Sequence, residues 1–159
     1  MLAFAPTPAE ARASFVAALL CLPFFLMLRG LAGGETLRGL TADMIAYVCS
    51  WAGFALASLP LCEAMGRRAL WPRLVAAWNW VNLVQYVVLG VLALPGVLGV
   101  SGIAMEALGL IAVGYALWLQ WFTARAALGV NGLRAAAFVA LDLAIAVFLS
   151  GLVVRLGVG

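Results

Sequence analysis

Apolar residues in this chain neither alternate nor mark a single helix face. They fill runs of twenty or more positions, separated by short interruptions of polar residues, glycine or proline near residues 30–40, 63–73, 95–100 and 129–131. The interruptions leave five apolar segments, about 10–31, 42–64, 72–94, 102–125 and 132–155. At about 1.5 Å per helical residue, each is long enough to cross a hydrocarbon layer of roughly 30 Å. The pattern predicts an all-α fold: a polytopic integral membrane bundle of five transmembrane helices, forming one domain over residues 1–159.

Local signals set the ends of these segments. Thr7-Pro8-Ala9-Glu10 fits a helix start, with Thr7 as cap, Pro8 in the first turn and Glu10 at the capping-box position. Gly30 to Leu40 reads as a glycine-rich loop carrying Glu35 and Arg38. Thr41 then reads as the second helix's cap, with Asp43 complementing the positive end of its dipole. Pro72 is predicted to start the third helix, which ends near Leu94. Pro95 to Val100 follows as an uncharged turn, and Ser101 caps the fourth helix. Gly129 suits a helix C′ position and Asn131 the next N-cap, so the last two helices should form a tight hairpin. No basic residue precedes Arg12, and the first apolar run exceeds the roughly 7–15 residues of a secretory signal. It is expected to be a retained span.

Composition narrows the function. Only 9% of residues are charged and 67% are hydrophobic, against about 25% charged in a soluble domain. All nine basic residues are Arg; Lys and His are absent. Their absence excludes lysine Schiff bases, a phosphate-loop lysine, histidine-ligated haem or zinc, and imidazole acid–base catalysis. Cys21, Cys49 and Cys62 are scattered, giving neither a disulfide framework nor a metal pair, and read as small buried apolar residues. No nucleophile elbow, phosphate loop or acidic metal cluster is present. The chain reads as a non-enzyme that implies no cofactor and no metal. Its net charge of +3 belongs to loops and signals topology and lipid headgroups, not nucleic acid.

Arginine placement gives an orientation. With the N-terminus in the cytoplasm, Arg12, Arg67, Arg68, Arg73, Arg125 and Arg134 lie inside and Arg29, Arg38 and Arg155 outside, which satisfies the positive-inside rule. Arg67, Arg68 and Arg73 are candidate headgroup contacts, with Trp71 and Trp121 in an aromatic belt beside them.

The third segment contains Trp78-Asn79-Trp80-Val81-Asn82-Leu83-Val84-Gln85-Tyr86, three amides and three large aromatics inside an apolar run. In lipid each amide needs a partner or costs several kcal/mol, roughly. Asn79, Asn82 and Tyr86 recur at i, i+3 and i+7, one helical face, with Gln85 beside them. Asp142 in the fifth segment, Asn82 in the third and Tyr115 in the fourth each lie about ten residues from the cytoplasmic side, a common depth. Asp142, Asn79, Asn82, Gln85 and Tyr115 are therefore expected to form one intramembrane polar layer. Ala135, Val139, Asp142, Ala146 and Ser150 share a mostly small face that suits close packing on the third or fourth helix. Such a carboxyl is either a proton or cation site or a buried polar clamp.

The five spans with an N-in topology, together with Trp121-Phe122-Thr123-Ala124-Arg125-Ala126-Ala127-Leu128-Gly129-Val130-Asn131-Gly132 and the following Ala135 to Asp142, resemble the Yip-type five-span membrane proteins, in particular the small bacterial members. An Asp-Leu-Tyr-Gly-Pro-like motif ahead of the first span, found in eukaryotic members, is absent here, so GTPase binding and trafficking are not carried over. The resemblance implies a non-enzymatic bilayer protein acting through helix–helix contacts. Two expectations follow. One is a scaffold or accessory subunit of the bacterial inner membrane, in contact with lipids, with other membrane subunits or with itself. The other is a small, self-associating or solitary, proton-coupled transporter using Asp142.

Overall fold

The computed structural model describes residues 4–32 and 36–158, and among them every regular element is helical. They are α1 (Pro8–Ala13), α2 (Val16–Ala32), α3 (Leu37–Ala64), α4 (Trp71–Val97), α5 (Ile103–Leu128) and α6 (Gly132–Val158), with a 3₁₀ turn at Arg68–Leu70 ahead of α4. Five stretches are long and apolar enough to span a membrane, α1 and α2 together making the first. Leu19, Leu110, Val147 and Phe148 are among the many large apolar side chains on the outside. This is the expected exterior where the surroundings are hydrocarbon.

The first span is not one helix. Thr7 caps α1 by accepting the Glu10 N–H at 3.3 Å. The backbone then tightens to i→i−3 bonds at Phe15, Ala17 and Ala18, and α2 begins at Val16. The second span starts a turn earlier than its sequence suggests. Thr36, extended, accepts the Gly39 N–H at 3.0 Å and is the cap, whereas Thr41 lies inside α3 and donates back to the Leu37 carbonyl. Asp43 is consequently beyond the first turn and serves an ion pair with Arg29 of α2 instead of the helix dipole. Glu35 lies outside the described residues.

The break between the third and fourth spans also shifts. Pro95 sits within the last turn of α4, where the one backbone bond it forfeits is tolerable. The chain turns only at Gly99 and Gly102, with φ of 90° and 75°, left-handed values that glycine adopts without strain. Gly102, not Ser101, precedes α5. Gly129 closes α5 at φ 61°, and the Asn131 side chain accepts the Arg134 N–H at 2.9 Å to start α6.

Helix α4 is the centre of the bundle, packed by α1, α2 and α5, while α6 packs against α3 and α5. Helices α3 and α4 meet more lightly, chiefly where Phe54 stacks on Trp78 at 4.1 Å and Trp71 donates to the Ala55 carbonyl at 3.0 Å. At the end holding the N-terminus and the α3–α4 and α5–α6 connections, the core is close-packed. There Ala77, Ala124, Ala127 and Ala135 bring the helices together around Leu74, Leu128 and Phe138. Small residues do this work because lipid offers no hydrophobic drive to press helices together.

Two glycines give opposite expectations. Gly129→Ala meets no neighbouring atom but must hold φ 61°, costing about 1–2 kcal/mol. Gly109→Ala, also in open space but inside α5, should stabilise by about 0.5–1 kcal/mol. Thermal unfolding in detergent should therefore shift down for the first variant and up for the second.

Candidate intramembrane binding site

Where α3 and α4 separate, a cavity of about 260 Å³ opens between α3, α4, α5 and α6. Asp142 of α6 lines it, ten residues from the helix start and so about 15 Å in, near the middle of the span. The Gln120 side-chain amide of α5 donates to the Asp142 carboxylate at 2.8 Å. The indole of Trp78, wholly buried, lies against the same carboxyl, its N–H outside hydrogen-bond geometry. From α4 come Asn79, Asn82, Gln85, Tyr86 and Leu89; from α3, Ser50, Trp51 and Phe54. No arginine is among the lining residues, and Asp142 is the single carboxyl there.

The amides of α4 divide by role. Asn79 is buried and donates to the Ser14 hydroxyl at 2.9 Å; Ser14 in turn donates to the Ala11 carbonyl at 2.7 Å. This contact pins the α1–α2 break to α4. Gln85 donates to the Ala116 carbonyl at 3.0 Å and ties α4 to α5. Asn82 and the Tyr86 hydroxyl form no hydrogen bond with any described residue, although both line the cavity. In hydrocarbon such groups need water or a polar solute.

The cavity has a polar neighbour toward the α2–α3 end. A second hollow, about 150 Å³, shares Ser50, Tyr86 and Ala146 with it and extends along α6 past Ser150 to the Arg29–Asp43 pair. Asp43 is buried there and Arg29 partly exposed, its guanidinium 5.8 Å from the Phe25 ring centroid. In the other direction Trp78, Leu74 and Phe138 close the way. Polar residues thus line neighbouring hollows from the Arg29–Asp43 pair to mid-span, and the close-packed core lies beyond Trp78.

Tyr115, expected in this layer, is on the outside of α5, 37% exposed and beside Trp118. Five residues separate it from Gln120, about 140° around a helix, so only one of them can face α6. Gln120 and Asp142 are each eleven residues from Asn131. Depth measured from the hairpin would have selected Gln120; depth measured from Arg125 selected Tyr115. Trp71 and Trp121 also differ from free belt residues. Their indole N–H groups donate to the Ala55 and Gly132 carbonyls inside the bundle, and the Arg125 guanidinium lies 4.6 Å from the Trp121 ring. Arg67 and Arg68 are exposed, Arg68 pairing with Glu63 at 2.9 Å, and Arg73 is half-buried.

Compared with known proteins, the chain matches no family model, no curated protein and no solved structure. Among the described residues no cluster of His, Cys, Asp or Glu could hold a metal ion.

Replacing Gln120 by Leu removes the donor to a carboxylate and should destabilise by about 0.6–2 kcal/mol, the range for hydrogen bonds between membrane helices. Tyr115→Phe should leave stability unchanged. Thermal melts of both variants in the same detergent check the contrast.

Proposed function

We propose that the protein is a small transporter whose site is the cavity at Asp142. The observation that carries this reading is the polar-lined cavity at a mid-span carboxyl, with a second polar hollow beside it toward Arg29 and Asp43. A structural clamp needs no such space, and a dry contact between Asp142 and Gln120 would serve it better. In this reading Asp142 takes and releases a proton or a cationic solute, Gln120 holds the carboxylate in place, and Asn82 and Tyr86 meet the solute. Ionisable groups inside membranes mark such pathways because their insertion cost, about 2.5–3.5 kcal/mol, must be offset by use or by partners. The bias of arginines toward one side supports an N-in orientation in a bacterial inner membrane.

A second reading keeps the chain as a non-enzymatic scaffold or accessory subunit, in line with its Yip-type resemblance. Two apolar grooves favour it, one on each flank of α6. Cys49, Gly53, Ala57 and Phe148 line one, and Trp118, Trp121, Ala140 and Leu143 the other, each about 400 Å³ and 410 Å³. They would accept a helix of another subunit or of a second copy.

The two readings separate in reconstituted vesicles on a solid-supported membrane. The transporter should give charge movement on pH jumps or on addition of small polar solutes, reduced at least tenfold in Asp142→Asn and retained in Glu106→Gln. Wild-type currents from Asp142→Asn vesicles, or none from wild type above empty vesicles, would contradict it. Recovery of a stable membrane partner by crosslinking would then favour the scaffold.

A further inference from the structure

We infer that the occupant of the Asp142 cavity is a small organic cation, a protonated primary or secondary amine with a short apolar tail; this rests on the transporter reading and names its substrate class. Volume is the first ground. About 260 Å³ is far more than the roughly 30 Å³ that one water occupies in the liquid. A proton pathway needs only a file of waters, whereas this space lies just under the roughly 300 Å³ at which ligand pockets begin. The occupant is therefore a solute, and one smaller than a drug.

Charge is the second. The lining holds one carboxylate and no basic side chain, and Gln120 donates to one of its oxygens only. An anion would meet a carboxyl with no basic side chain to offset it in a low-dielectric site. A neutral solute would leave the carboxylate with the single amide and the misaligned Trp78 indole as donors. An ammonium group supplies both the compensating charge and N–H donors for the second Asp142 oxygen and the Asn82 carbonyl oxygen. A divalent metal is disfavoured because calcium and magnesium demand six or more oxygen ligands, zinc takes three or four His, Cys or carboxylate ligands, and the lining carries one carboxylate and no His or Cys.

The rest of the wall is the third. Trp51, Phe54, Trp78 and Tyr86 present aromatic surface, with Leu89 and Ile145 beside them. Rings of this kind attract a desolvated cation through their quadrupole and hold an alkyl tail by contact. The site is thus polar and anionic at α6 and aromatic at α3 and α4. The Arg29–Asp43 pair stands at the mouth of the approach and, as a pair, presents no net charge to an entering cation.

Calorimetric titration of the full chain in nanodiscs with n-butylammonium, n-butanol and butyrate, after subtraction of empty nanodiscs, tests this. Saturable binding of butylammonium alone is expected, weakened at least tenfold in Asp142→Asn. In Trp51→Leu, a variant that keeps the carboxylate should Asp142→Asn fail to fold, affinity should fall about fivefold. Equal binding of butanol or butyrate, or undiminished butylammonium binding in the Asp142 and Trp51 variants, overturns the proposal. Absence of any binding while Asp142-dependent pH-jump currents persist overturns the amine class yet leaves the transporter reading standing. Absence of both removes the two together.

Discussion

Hydrocarbon donates and accepts no hydrogen bonds, so each polar side chain on a membrane helix must find its partner in the protein or in enclosed water. That constraint accounts for the hydrogen bonds between helices here. Ser14 and Asn79 join α1 to α4, Tyr47 donates to the Ala18 carbonyl at 2.6 Å to join α3 to α2, and Gln85 joins α4 to α5. Trp71 joins α4 to α3, while Gln120 and Trp121 join α5 to α6. Several of these bonds run from a side chain to a backbone carbonyl, which keeps its own helical bond and accepts a second donor. Each bond is individually small, about 0.6 kcal/mol on average in membrane proteins, and together they tie α1, α3 and α5 to α4, α3 to α2, and α6 to α5.

The α3–α6 pair is informative, because it packs closely with no such bond between its described residues. Helices α3 and α6 pack through small residues, with the Ile145 methyl 3.7 Å from where a side chain on Gly53 would begin. Opposite this seam α4 stands off from α3, and the polar groups left over collect in the space between them. Asp142, Asn82 and Tyr86 are there because the packing leaves room, and the room persists because they line it. At the other end of the bundle alanines remove the gap and Trp78 and Phe138 seal it. One sequence feature, the alternation of alanine-rich and polar-rich stretches along the same helices, thus produces a closed half and an open half.

Much of this arrangement could be read from the chain alone. Five spans, the Gly129–Asn131 hairpin and the inward amide face of α4 follow from run length, glycine and asparagine chemistry, and i, i+3, i+7 spacing. Other features could not. Thr36 and Thr41 are both plausible caps, and only the extended backbone at Thr36 distinguishes them. Tyr115 and Gln120 have similar polar character, and their separation is a matter of rotation about α5, which hydropathy does not encode. The Arg29–Asp43 pair was hidden because each residue looks like an ordinary loop-end charge until α2 and α3 are laid side by side.

The central claim is that the space at mid-span is open to water from the Arg29–Asp43 end and shut from the other. Cysteine accessibility measures this without knowledge of any solute. In a background with Cys21, Cys49 and Cys62 replaced by Ala, Ser50→Cys and Ala146→Cys line the path, and Phe138→Cys lies behind the seal. A membrane-impermeant thiosulfonate cation, applied to right-side-out and inside-out vesicles, should modify the first two from one side only and Phe138→Cys from neither. Failure to modify Ser50→Cys and Ala146→Cys from either side, or equal modification from both, would contradict the account.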